Sequence, residues 1–141
     1  MKVISAENKI IGRLASRIAS ELRDGEEVRV VKSEEAVVSG DEQEVLADYK
    51  EKKDRGVRHR GPYFPKRPDA ILKRTVNNML PDGSEGREQF SRLKTYLGEP
   101  GEFDEVEEVD VKEGDDLRNR NYVKLGKISR HIGWTPSGGK Q

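Results

Sequence analysis

The stretch "KVISAENKIIGRLASRIASELRDGEEVRVV" occupies residues 2–31 and decides the fold. Its first four residues, "KVIS", are short and β-compatible. In "IIGRLASRIASELRDG", Leu14, Ile18 and Leu22 recur every four residues with Ala15 and Ala19 beside them. That spacing places one apolar stripe along a helix, and Gly25 stands where a left-handed C-cap is expected. "VRVV" (28–31) is a continuous β-branched run, as a strand covered on both faces requires. Strand, helix, strand predicts a parallel α/β core.

The rest of the chain extends this pattern. "AVVSGDEQEVLADYKEKK" (36–53) gives a short apolar piece, a Ser39/Asp41 cap and a second helix. "RPDAILKRTVNNML" (67–80) predicts a third helix. Pro68 sits in its first turn, Asp69 complements its positive N-terminal end, and Pro81 stops it. Ile71, Leu72, Thr75, Val76, Met79 and Leu80 define an apolar face, while Lys73, Arg74, Asn77 and Asn78 fall on the other. "SEGREQFSRL" predicts a short helix carrying Phe90 and Leu93, followed by a strand in "KTYLG". "NYVKL" and "GKISRHIGW" predict a last strand and a small terminal helix. The expectation is one domain, residues 1–141: a three-layer α/β/α sandwich around a mainly parallel sheet of about four strands.

The bulk composition narrows the function classes. Residues AVILMFWYC make up 32%; with the 14 glycines added the share is roughly 42%, against a usual 45–50%, so the core should be modest. Charged residues reach 38%, against a usual value of about 25%. There is no cysteine, which removes disulfides and thiolate metal sites and suits a reducing compartment. No apolar run approaches the ~20 residues of a membrane span, and "MKVISAENK" lacks a signal-peptide core. A cytoplasmic protein without membrane contact is expected.

Charge is sorted along the chain. The totals balance at 27 Lys+Arg and 27 Asp+Glu. Yet residues 52–74 hold nine basic and two acidic residues, 99–116 hold one basic and ten acidic, and 117–141 hold six basic and none acidic. The first block contains Lys53, Arg55, Arg58, His59, Arg60, Tyr63, Lys66 and Arg67, interrupted by glycines and prolines. That composition predicts a stiff, extended arm over 52–67. Such an arm lays cationic groups along a phosphate backbone while an aromatic ring stacks on a base. The alternative is a solvated basic surface, or one satisfied by the acidic stretch 99–116.

Catalytic motifs find no support. The turn "SAENKIIGRLAS" has one glycine where a dinucleotide fingerprint needs three. No phosphate-binding G-x-x-x-x-G-K-[ST] or nucleophile G-x-S-x-G occurs. His59 and His131 have no acidic orienter beside them, and Glu107-Glu108 and Asp115-Asp116 lie in a glycine-containing loop with nothing apolar to shift a pKa. No catalytic residue, metal, cofactor or small-molecule substrate is expected.

"VNNMLPDGSEGREQFSRLKTYLG" (76–98) combines M-L-P, four residues, G-R and a basic-aromatic run into Y-x-G. This order resembles the family of the thirteenth protein of the large ribosomal subunit. "IIGRLASRIASEL" (10–22) matches the family's first-helix motif and "AVVSG" (36–40) another, while "YFPKRPDAILKRTV" (63–76) is similar to the archaeal and eukaryotic branch. The resemblance covers residues 2–98, and 120–133 more loosely. It implies an α/β/α fold and a non-catalytic structural protein of the ribosome. Its partners would be large-subunit ribosomal RNA and neighbouring ribosomal proteins. RNA-facing positions would be Arg13, Arg17, Lys66, Arg67, Lys73, Arg74 and Arg87, with Lys94 in the strand that closes the motif. Asn77 and Asn78 replace the family's usual basic residue and glycine, and asparagine hydrogen-bonds to phosphate or sugar. Thr95 stands where an aliphatic residue is usual. The resemblance leaves Gly12 and Gly86 to turn geometry and Leu14, Met79, Leu80 and Phe90 to the core. The acidic stretch is expected on the solvent side of the ribosome. Two rival functions stand beside this one: a free regulator binding messenger RNA, and a nucleotide-dependent enzyme using the sheet edge near Gly12.

Overall fold

The computed structural model describes residues 2–55, 65–101, 103, 106, 113 and 121–135. β1 (Lys2–Ser5), α1 (Ile11–Arg23) and β2 (Val28–Val31) open the chain. A 3₁₀ turn (Ser33–Glu35), β3 (Val37–Ser39), α2 (Glu42–Arg55), α3 (Pro68–Asn77) and α4 (Ser84–Ser91) follow. β4 (Leu93–Thr95), β5 (Tyr122–Lys124) and α5 (Leu125–His131) complete the described elements.

β2 is the middle strand of a parallel sheet ordered β1-β2-β4. Ile4 lies against Val30, and Val28 against Leu93. These four side chains face one hydrophobic core with Leu14, Ile18 and Leu22 of α1, Ile71, Leu72 and Val76 of α3, and Leu125 and Ile128 of α5. Arg29 and Lys94, also register partners, alternate onto the opposite face. The α1 stripe is as the spacing predicts: Ile11, Leu14, Ala15, Ile18, Ala19 and Leu22 are all buried. The larger four contribute roughly 6–12 kcal/mol of gross transfer free energy, at about 1.5–3 kcal/mol each. α1 ends in a Schellman cap. Glu26 N–H donates to Glu21 C=O at 3.1 Å, Gly25 N–H to Leu22 C=O at 3.1 Å, and Gly25 takes φ 98°.

The α/β class and the mainly parallel sheet hold, but the strands divide differently from the expectation. β3 and β5 form a separate antiparallel ribbon, which joins the body where Val37 N–H donates to Lys9 C=O at 2.9 Å. Two boundaries also shift. The strand read in "KTYLG" begins at Leu93, and α3 ends at Asn77, before Pro81. Beyond Asn77 the helical period no longer applies, and Met79 is 39% exposed rather than part of the core. Leu80 is buried as expected, and Phe90 packs partly buried against the core. Thr95 has a use that an aliphatic residue lacks: its hydroxyl donates to Asp69 C=O of α3 at 3.1 Å.

The two motif glycines play different parts. A Cβ at Gly86 would stand 1.7 Å from the Pro81 carbonyl oxygen, so α4 lies directly on the turn that precedes it. At Gly12 a Cβ would meet nothing within 4 Å, so the second residue of α1 is not required by packing. Ion pairs fasten the outside. Glu21 accepts from Lys2 at 3.1 Å and from Arg17 at 3.1 Å. Lys2 first, then Arg17, holds its carboxyl below the usual carboxylate range, against the opposing effect of burial.

Gly86→Ala should destabilise the protein by about 3 kcal/mol, since an overpacked position must displace backbone. Gly12→Ala should be neutral or stabilising by up to ~1 kcal/mol, because alanine suits a helix better. Urea denaturation of both variants checks this, and equal effects would refute it. Because Glu21 has a depressed folded pKa, its contribution is complete above the ordinary carboxylate range and is lost as pH falls through its own lower value. Glu21→Gln should therefore cost up to about 1 kcal/mol at neutral pH. The gap to the wild type should close on acidification below about pH 4. A gap unchanged down to the acid limit would contradict the pairing.

Candidate nucleic-acid interface

The expected contact residues sit on several elements. Arg13 and Arg17 lie on α1, Lys53 and Arg55 in the last turn of α2, Lys66 and Arg67 just before α3, and Lys73, Arg74 and Asn77 on α3. Arg87 is on α4 and Lys94 on β4. Arg58, His59, Arg60 and Tyr63 lie outside the described residues. The first four residues of the arm expected over 52–67 belong to α2.

Pairing separates these cations into two groups. Arg17 is held by Glu21, and Arg67 by Asp69 through two 3.2 Å bonds, Nε to Oδ1 and Nη2 to Oδ2. Lys73 Nζ stands 5.3 Å from the Phe90 ring centre, which ties α3 to α4 and leaves the lysine half-buried. Arg13, Lys66, Arg87 and Lys94 are exposed and make no ion pair among the described residues. Asn77 is exposed at the end of α3, and Arg74 is exposed on the same helix. A surface cation with no carboxylate beside it keeps its full charge for an external anion.

Other basic residues serve the fold. Arg92 grips Glu88 through two 3.0 Å bonds and donates to Glu26 C=O at 2.9 Å. Its own carbonyl accepts from Arg29 at 3.1 Å. This pairing depresses the Glu88 carboxyl and raises the Arg92 guanidinium. Lys124 pairs with Glu35 at 2.6 Å, and Lys127 with Glu42 at 2.8 Å. Arg23, exposed at the end of α1, complements the negative end of that helix. Arg130 on α5 is exposed, with no ion pair among the described residues. In the sequence its one signal is membership of the basic block 117–141.

The described points of the acidic stretch turn toward other partners. Buried Lys9, 3% exposed, donates to Glu113, and Lys32 pairs with Glu99 at 3.5 Å and Glu7 at 3.2 Å. Glu7, then Glu99, raises the Lys32 ammonium pKa. Phe103 meets the Tyr96 ring edge-on at 5.3 Å. None of these contacts touches Arg13, Lys66, Arg87 or Lys94. The carboxyl ends of the parallel strands, where a doubly wound sheet binds nucleotide phosphates, are crossed instead by Glu7, Lys32, Glu99 and Glu34, whose carboxylate accepts Gly98 N–H at 3.0 Å. Acidic groups at that edge repel a phosphate.

Comparison with known proteins identifies the family. The family model of Ribosomal protein L13 matches residues 1–102. A Large ribosomal subunit protein uL13 from Methanosarcina barkeri is 44% identical over 137 residues, covering 94% of this chain and 98% of the relative. The protein of that name from Methanococcoides burtonii is 45% identical over 136 residues, with the same shares covered. The one from Archaeoglobus fulgidus is 42% identical over 138 residues, covering 94% of this chain and 87% of the relative. The residues matched hold β1 through β4 and all but one of the helices, so the chain belongs to the L13 family of ribosomal proteins.

Proposed function

We propose that the unpaired surface cations are the means by which this protein, a structural and non-enzymatic constituent of the large ribosomal subunit, holds large-subunit ribosomal RNA. The observation that carries the reading is a coincidence of two independent facts. Arg13 and Arg87 lie within the residues that the family model matches and in the motifs that resemble the family, and both are exposed cations without an ion pair among the described residues. Lys66 and Lys94 share that condition.

The mechanism is electrostatic. Each lysine or arginine that meets a phosphate releases condensed counterions, so affinity falls with the logarithm of salt by somewhat under one unit per contact. Arginine adds a bidentate geometry that fits phosphate oxygens. The folded body supplies exposed cations on three separate elements, α1, α4 and β4. Neighbouring ribosomal proteins are the other partners, and the ribosome in the cytoplasm is the place of action.

Sedimentation of a lysate should place the chain with the large subunit, released only at high salt; a predominantly free pool would favour an extraribosomal regulator. With purified protein and transcribed large-subunit ribosomal RNA, Arg13→Gln, Arg87→Gln and Lys94→Gln should each flatten the salt slope by about one unit. Arg17→Gln and Arg67→Gln, whose charges are already engaged by Glu21 and Asp69, should change it less. Identical slopes across both sets would remove pairing from the mechanism.

A further inference from the structure

The basic blocks 52–74 and 117–141 are distant in sequence, but the fold brings an end of the first onto the last turn of α5. α5 buries Leu125, Gly126, Ile128 and Ser129 and turns Lys127, Arg130 and His131 outward. The helix stops in a Schellman cap: Gly133 N–H donates to Arg130 C=O at 3.2 Å and Trp134 N–H to Ser129 C=O at 2.9 Å. Gly133 takes φ 115°, a conformation that disfavours any side chain. The Lys66 side chain lies across this glycine: a Cβ there would stand 3.6 Å from its Cδ, Cε and Nζ.

We propose that Lys66 and Arg130 form one phosphate-backbone contact for RNA at the C-terminal end of α5, a site that rests on the RNA-binding reading above. The cap brings both residues to one helix end, because Gly133 N–H donates to the Arg130 carbonyl and the Lys66 side chain covers Gly133. Charge selects the ligand. On the same helix Lys127 is taken by Glu42 at 2.8 Å, whereas neither Lys66 nor Arg130 makes an ion pair among the described residues. Two unpaired cations gathered at one helix end repel each other, and the partial negative charge of that end offsets only part of the repulsion. A phosphodiester backbone relieves the rest and runs from one cation to the other.

The test uses the full-length protein and a transcribed large-subunit ribosomal RNA, with affinity measured across a potassium chloride series. Lys66→Gln and Arg130→Gln should each lower the salt slope by about one unit, and the double variant by about two. Lys127→Gln removes the same charge from the same helix and should leave the slope near that of the wild type. If Arg130→Gln behaves like Lys127→Gln, the composite contact is wrong. If Lys66→Gln lowers the melting temperature and keeps the slope, Lys66 is only a helix-end cation and the contact is likewise wrong. Failure of the wild type itself to bind would overturn the RNA reading and this site together, whereas wild-type binding with unchanged variant slopes would overturn the site alone.

Discussion

Everything in the molecule leans on the four residues of β2. Val28, Val30 and Val31 are fully buried, and the strand pairs with β1 on one side and β4 on the other. A strand so enclosed has no edge to satisfy from solvent, so both neighbours must meet its full set of backbone groups. That requirement sets the places of the helices. α1 must cross from the end of β1 to the start of β2, and α3 and α4 must return the chain to β4. Arg13 and Arg87 are thereby carried on the exposed sides of helices whose other sides pack inward.

A protein with no net charge can still hold a polyanion, because a net charge counts residues and a binding surface counts unpaired ones. Here several acids are engaged within the fold. Glu21, Glu35, Glu42, Glu88, Glu99 and Glu113 each meet a basic partner. Several of those partners, Arg92, Lys9 and Lys124 among them, join segments distant in sequence. Exposed cations without an ion pair among the described residues include Arg13, Lys66, Arg87, Lys94 and Arg130. The distinction between structural and available charge is a property of the fold and cannot be seen in composition.

This also marks what the sequence could disclose. Period and punctuation are local, so the α1 stripe, the β2 run, the first-turn Pro68 and the cap at Gly25 were all legible. Pairing is not local. The β3–β5 ribbon depends on Val38 meeting Val123, and no local pattern announces a register across that distance. Met79 was misread for a related reason: the helical period was carried past Asn77, where the helix had already ended. Among the candidate contacts, residue type and motif position were legible. The difference between Arg17, engaged by Glu21 one turn on, and Arg13, whose neighbour one turn on is Arg17, follows from helical spacing and was legible too.

The acidic stretch shows the same principle from the other side. Read alone, it could serve as a counter-charge for the basic arm or as a solvated tail. Its described points do neither: Glu113 meets Lys9, and Glu99 meets Lys32 beside Glu7. Lys9 is buried at the entrance to α1, and a buried ammonium without a carboxylate is costly enough that the pair must form or the lysine must leave its place. Glu113 and Glu99 thus fasten the loops that follow β1 and β2 at the carboxyl end of the sheet. Acid and base are separated in sequence, and once folded Glu113 and Glu99 meet Lys9 and Lys32, while Arg13, Lys66, Arg87 and Lys94 make no ion pair among the described residues.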